Sequence, residues 1–141
     1  MKYVLDSCVA FKWAVTEADT DKALRLRDEF RNAIHELIAP DVLPIEVGHA
    51  LTRAKRQGRI TPPHGWAAWL TVMSDSPQLS PSIPLMPRAY AISSAIRIGI
   101  YDCRYVALAE REGCELLTSD DKLIRNLQAL FPFIVPLASL P

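Results

Sequence analysis

Tyr3-Val4-Leu5-Asp6-Ser7 is a short apolar run that stops on two polar residues. A run so short and so apolar reads as a buried strand, and the acid after it falls at the strand's carboxyl end. The same pattern returns late in the chain, where Glu115-Leu116-Leu117-Thr118 is followed by Ser119-Asp120-Asp121. Leu37-Ile38-Ala39 and Phe133-Ile134-Val135 read as further strands, and the broken segment from Gln78 to Ile83 as a weak one. Between them the apolar residues recur at helical spacing. That spacing predicts helices over about Val9–Val15, Asp19–Ile34, Val42–Gln57, Pro87–Ile98 and Asp121–Leu130, with one opening at Thr61-Pro62 and another running from Asp102 to just before Gly113. Strands that alternate with one or two helices predict a mostly parallel sheet covered on both faces, an α/β fold. In such sheets ligands gather beyond the carboxyl ends of the strands.

The remaining bulk properties fit one domain over residues 1–141. The 141 residues are 50% hydrophobic and 23% charged, enough for a core without covalent staples. Sixteen basic residues balance sixteen acidic ones, so no single-sign field argues for a polybasic nucleic-acid arm or a membrane-surface peptide. Cys8, Cys103 and Cys114 are odd in number and lack C-x-x-C spacing, which predicts reduced thiols in the cytosol and neither a disulfide framework nor a zinc site. No run approaches about 18 apolar residues, so no membrane span is expected. Asp6 and Lys12 interrupt what would be the apolar part of a signal peptide.

Four acids stand where a parallel sheet would gather chemistry. Asp6 and Asp120 follow strands, Asp102 opens a helix, and Glu46 lies near the start of its helix, off the centre of the apolar stripe. Each has an ordinary explanation by itself: Asp is common in turns, and Asp102 and Asp120 would serve as helix N-caps. Together they are costly. Two carboxylates about 5 Å apart repel by roughly 3 kcal/mol at an effective dielectric near 20, so a cluster must protonate or bind a cation. An all-oxygen site with open positions suits Mg²⁺ or Mn²⁺, the ions used to hydrolyse phosphodiesters.

Val4-Leu5-Asp6-Ser7, Pro44-Ile45-Glu46-Val47, Tyr101-Asp102-Cys103-Arg104-Tyr105-Val106-Ala107-Leu108-Ala109 and Leu117-Thr118-Ser119-Asp120-Asp121-Lys122-Leu123 resemble, in order, the four motifs of the PIN-domain family. The resemblance spans essentially the whole chain, and Asp6-Ser7-Cys8-Val9-Ala10-Phe11-Lys12-Trp13 resembles a branch of VapC-type toxins of toxin–antitoxin pairs. It implies a three-layer fold with a five-stranded, mostly parallel sheet and a metal-dependent endoribonuclease. Asp6, Glu46, Asp102 and Asp120 would be catalytic and would hold Mg²⁺ or Mn²⁺. Ser7 and Asp121 are secondary members; spacing from Thr118 favours Asp120 over Asp121, which serves as helix cap or secondary contributor. The implied partners are RNA (tRNA or another structured RNA), an antitoxin protein and a second copy of the chain. The competing reading is a PIN-like RNA- or protein-binding module that has lost turnover.

Other phosphate-handling folds fit less well, because the chain holds neither G-x-G-x-x-G nor G-K-[ST]. Arg53, Lys55, Arg56 and Arg59 follow Glu46 on or just beyond its helix. They read either as a solvated helix end, where cations suit the dipole, or as a strip that contacts RNA phosphates. Lys12 and Arg104 are further candidates for substrate contact. Trp66 and Trp69 read as core or as an interface with a dimer partner or antitoxin, and His49, three residues after Glu46, as a neighbour of the site.

Overall fold

The computed structural model describes residues 1–141. Five strands form one all-parallel sheet: β1 (Lys2–Leu5), β2 (Glu36–Pro40), β3 (Gln78–Ser80), β4 (Glu115–Thr118) and β5 (Ile134–Pro136), in the order β3-β2-β1-β4-β5. The three central strands are buried on nearly every residue, which explains their unbroken apolar character. Exposure is left to the short edge strand β3, whose Gln78 and Leu79 face solvent.

The helices are α1 (Ser7–Phe11), α2 (Thr20–Arg31), α3 (Leu43–Arg56), α4 (Pro62–Met73), α5 (Met86–Ile96), α6 (Ile100–Glu112) and α7 (Asp121–Leu127). From β1 the chain steps outward through β2 to β3, then crosses to β4 and steps outward the other way to β5. Right-handed crossovers in opposite directions place helices on opposite faces, giving three layers. They also make the β1/β4 boundary the point where winding reverses, and a crevice opens there at the strands' carboxyl ends. The backbone N–H of Asp6 donates to the Leu117 carbonyl at 3.0 Å, carrying the β1–β4 ladder one residue past the strand.

Several boundaries differ from the sequence reading. The helix expected over Val9–Val15 starts earlier, at Ser7, and regular α-helix ends at Phe11; Lys12, Trp13 and Ala14 donate to residues three back, a tightened last turn. Asp102 does not open α6. Gly99 is the cap and Ile100 the first residue, which puts Asp102 within the first turn with its carboxylate free. Ala33 (φ 57°) and Arg97 (φ 61°) adopt left-handed backbone, ending α2 and α5 two or three residues before the apolar pattern does. The last helix stops at Leu127 instead of Leu130, and β5 is displaced by one residue, from Phe133–Val135 to Ile134–Pro136. All three cysteines are free, and no helix is long and apolar enough to cross a membrane.

Candidate active site

The crevice at the β1/β4 boundary holds the predicted acids. Asp6, next after β1, is almost wholly buried at 4% exposure. Burial pushes its carboxyl up to about 6, and the charges of Glu46 and Asp120 push the same way against the hydrogen bond from Thr118. Asp102, in the first turn of α6, is also raised to about 6 by burial and by the charges of Asp6 and Asp120. Glu46, in the first turn of α3, is raised by burial and by Asp102. Strand ends and helix starts from four parts of the chain therefore meet closely enough to repel one another. No three His, Cys, Asp or Glu side chains close into a cage able to hold an ion unaided. The donor set is all carboxylate oxygen, the chemistry of a hard divalent cation that keeps several waters and takes one or two carboxylates at a time. The residues present fit such an ion.

Four supporting side chains fix the acids and the turn beside them. The Thr118 hydroxyl, at the end of β4, donates to Asp6 Oδ2 at 2.7 Å and accepts from the Asp120 N–H at 3.1 Å, tying two acids to one buried oxygen. Cys8 Sγ accepts from the Ser119 N–H at 3.4 Å and pins the same turn to α1. The buried Tyr105 hydroxyl donates to Glu46 Oε1 at 2.6 Å across the α3–α6 boundary. Ser7 donates to Asp6 Oδ1 at 3.4 Å. Asp120 and Asp121 are placed differently. Asp120 is the cap of α7, its Oδ1 accepting from the N–H groups of Lys122 (3.0 Å) and Leu123 (3.3 Å), which leaves Oδ2 without a hydrogen bond. Asp121 is exposed on the first turn and is not the cap.

The chain matches the PIN domain over residues 3–128. It belongs to the PIN-domain family. Among curated relatives, Ribonuclease VapC1 of Mycobacterium tuberculosis is 34% identical over 125 residues, covering 84% of this chain and 90% of the relative. The same protein from a second strain of that organism matches equally. Among solved structures, PAE2754 from Pyrobaculum aerophilum superposes with a TM-score of 0.70 at 22% identity, over 99% of this chain and 94% of that one. VapBC2 from Rickettsia felis, bound to a DNA fragment from its promoter, gives 0.62 at 14% identity, over 96% and 97%. At these identities the two structures speak for the PIN fold alone.

The PIN domain's basic candidates divide. The cleft lined by Ser7, Glu46 and Tyr101 and the neighbouring hollow lined by Arg53 and Arg59 share His49 and Ala50, so one face of α3 runs from acid to base. Arg59 is drawn toward Glu17 (2.7 Å) and Lys55 faces a separate groove beside Trp66 and Trp69. Lys12 is buried and paired with Glu17 at 3.2 Å, which removes it from the exposed surface. Arg56 is exposed on the last turn of α3. Arg104 lies beside the acids, where its charge lowers Glu46 and Asp102. Trp66 is exposed and stacks on Trp69 (4.8 Å between ring centroids), whereas Trp69 is half-buried and donates to the Pro44 carbonyl at 2.9 Å. Sequence reasoning missed Thr118 and Tyr105 as supports of the site. Both stand inside the quoted motifs, but an apolar helix face gives no sign that one tyrosine hydroxyl reaches a distant helix.

Proposed function

We propose that this PIN domain is a metal-dependent endoribonuclease and the toxin of a toxin–antitoxin pair, acting on RNA in the cytosol. The observation that carries the reading is the meeting of Asp6, Glu46, Asp102 and Asp120 at the reversal point of the sheet, where burial and neighbouring carboxylates raise Asp6, Glu46 and Asp102. The ribonuclease relative, 34% identical over most of both chains, supports the same activity. Those four carboxylates would supply the oxygen ligands for Mg²⁺ or Mn²⁺. Such an ion, when bound, polarises the scissile phosphate and lowers the pKa of an attacking water. Asp6 is held rigidly by Thr118, and Asp120 offers the oxygen that its capping role leaves free. Glu46, oriented by Tyr105, is placed to accept the water's proton as general base. In-line attack then leaves a 5′-phosphate and a 3′-hydroxyl. Arg53 and Arg56, exposed on α3, contact backbone phosphates. The substrate is a structured RNA such as tRNA, the active species is a homodimer, and a cognate antitoxin silences it.

The test is cleavage of structured RNAs by the purified protein with and without Mg²⁺ or Mn²⁺. Cleavage that needs the ion and disappears in Asp6→Asn is the expected result. Unchanged cleavage by Asp6→Asn would sink the assignment.

A further inference from the structure

Tyr101 is the second residue of α6, is 64% exposed and lines the cleft that holds Glu46. That cleft, about 560 Å³, reaches from Ser7 and Glu46 on the acidic side to Tyr101, with Val42 and Ile45 as an aliphatic wall. Its size is that of a small-molecule site, typically about 300–1,000 Å³. Ile45 is itself 73% exposed, so the wall is open to an incoming group.

Tyr101 is not a loose surface ring. Arg104, one turn further along α6, lays its guanidinium over the ring, 4.9 Å from the centroid. Nε and Nη2 of that guanidinium are buried without any hydrogen-bond partner. What holds Arg104 in place is the ring and the negative field of Glu46 and Asp102. The cation thus backs one part of the ring and leaves the rest facing the cleft. A flat aromatic ring, aliphatic side chains and the Glu46 carboxylate lining one cleft together suit a planar base held beside the acids.

We infer that Tyr101, braced by Arg104, is the stacking platform for an unpaired nucleobase next to the scissile phosphate. The inference rests on the ribonuclease reading and adds to it the residue that holds a base beside the cut. A base inside an A-form helix already stacks on both neighbours and has no free face for the ring; an unpaired base does. Stacking accepts any base, so the ring supplies affinity and position and leaves sequence choice to other contacts.

The test uses the full chain carrying Asp6→Asn, so that RNA binds without being cut, and a short single-stranded RNA labelled with 2-aminopurine. Binding quenches the fluorophore when it stacks. Adding Tyr101→Ala weakens binding about 5- to 150-fold and abolishes the quench, whereas Tyr101→Phe and Tyr101→Trp keep both. The slope of log K against log salt stays the same, because stacking releases no counterions. Affinity for a fully paired duplex of the same sequence is unchanged. Tyr101→Ala that binds and quenches like Tyr101→Phe, in a protein that cleaves RNA when Asp6 is intact, would overturn the inference and spare the ribonuclease reading. Failure of the unsubstituted protein to cut any RNA with Mg²⁺ or Mn²⁺ would overturn that reading, and the stacking platform with it.

Discussion

Asp6 carries its charge where burial and two neighbouring carboxylates oppose it, and the consequence is a pH-dependent stability. Its folded value of about 6 lies above the roughly 3.9 of an unfolded aspartate, so the folded state binds the proton more tightly. The stability this contributes is fully present below about pH 4 and is lost as pH rises through about 6, on the order of 3 kcal/mol for Asp6 alone. Asp102 shifts in the same direction for the same causes. Metal-free protein should therefore melt at lower temperature at pH 7 than at pH 5, apart from its other titrating groups. Asp6→Asn and Asp102→Asn should flatten that fall, melt several degrees higher at pH 7 and lose cleavage. Thermal melts across that range, with and without Mg²⁺, check it; Mg²⁺ should raise the melting point of the unsubstituted protein only. Tyr105 makes a separate prediction. Tyr105→Phe removes the 2.6 Å hydrogen bond to Glu46 while keeping the ring in the core. A bond to a charged group is worth about 1.5–3 kcal/mol, so kcat should fall about tenfold or more with little change in KM. Equal loss in KM would mean the tyrosine shapes substrate binding instead.

The elements differ in how openly the sequence declares them. Strand β4 stands where the apolar run puts it, because a central parallel strand needs apolar residues on both faces. Helix ends are less legible. Ala33 and Arg97 take left-handed backbone that the apolar pattern does not announce, and Gly99 caps α6 where Asp102 looked the better cap. That last shift bears on the site, since it leaves the Asp102 carboxylate free of a capping role. Helix α3 carries an acidic and a basic side chain along one face, Glu46 and Arg53, joined by His49. Reversing Arg53 and Arg56 to Glu should weaken RNA binding broadly and reduce the slope of log K against log salt by roughly 0.7–0.9 per lost phosphate contact. Glu46→Gln on the same helix should keep most RNA affinity and lose turnover. Filter binding across a salt series and a cleavage assay separate the two. Unchanged affinity after the reversals together with full turnover after Glu46→Gln would make α3 a structural or partner-binding element.

At the scale of the whole molecule, strand order was the least legible feature from sequence. Alternating strands and helices dictate parallel pairing, but nothing local says that β1 lies between β2 and β4. The acid cluster depends on that order, since Asp6 and Asp120 meet only because β1 and β4 are neighbours and Thr118 bridges their ends. The motif resemblance supplied what periodicity could not. The molecule's outer surface carries the last prediction. Helix α4 buries only Val72, and its Trp66 and Leu70 stand 67% and 51% exposed on an otherwise weakly charged helix. With a formal net charge of zero, no long-range repulsion keeps two copies apart. Covering a large apolar side chain on association is worth about 1.5–3 kcal/mol, and twofold symmetry counts each residue twice. The protein should therefore sediment as a dimer at micromolar concentration. Trp66→Glu with Leu70→Glu places four like charges in that contact and should give monomers whose melting point is nearly unchanged, because neither side chain belongs to the core. Monomer at every concentration without substitution would count against this face as a self-contact. Dimer persisting in the double variant would move the interface elsewhere, leaving α4 as a surface for another partner.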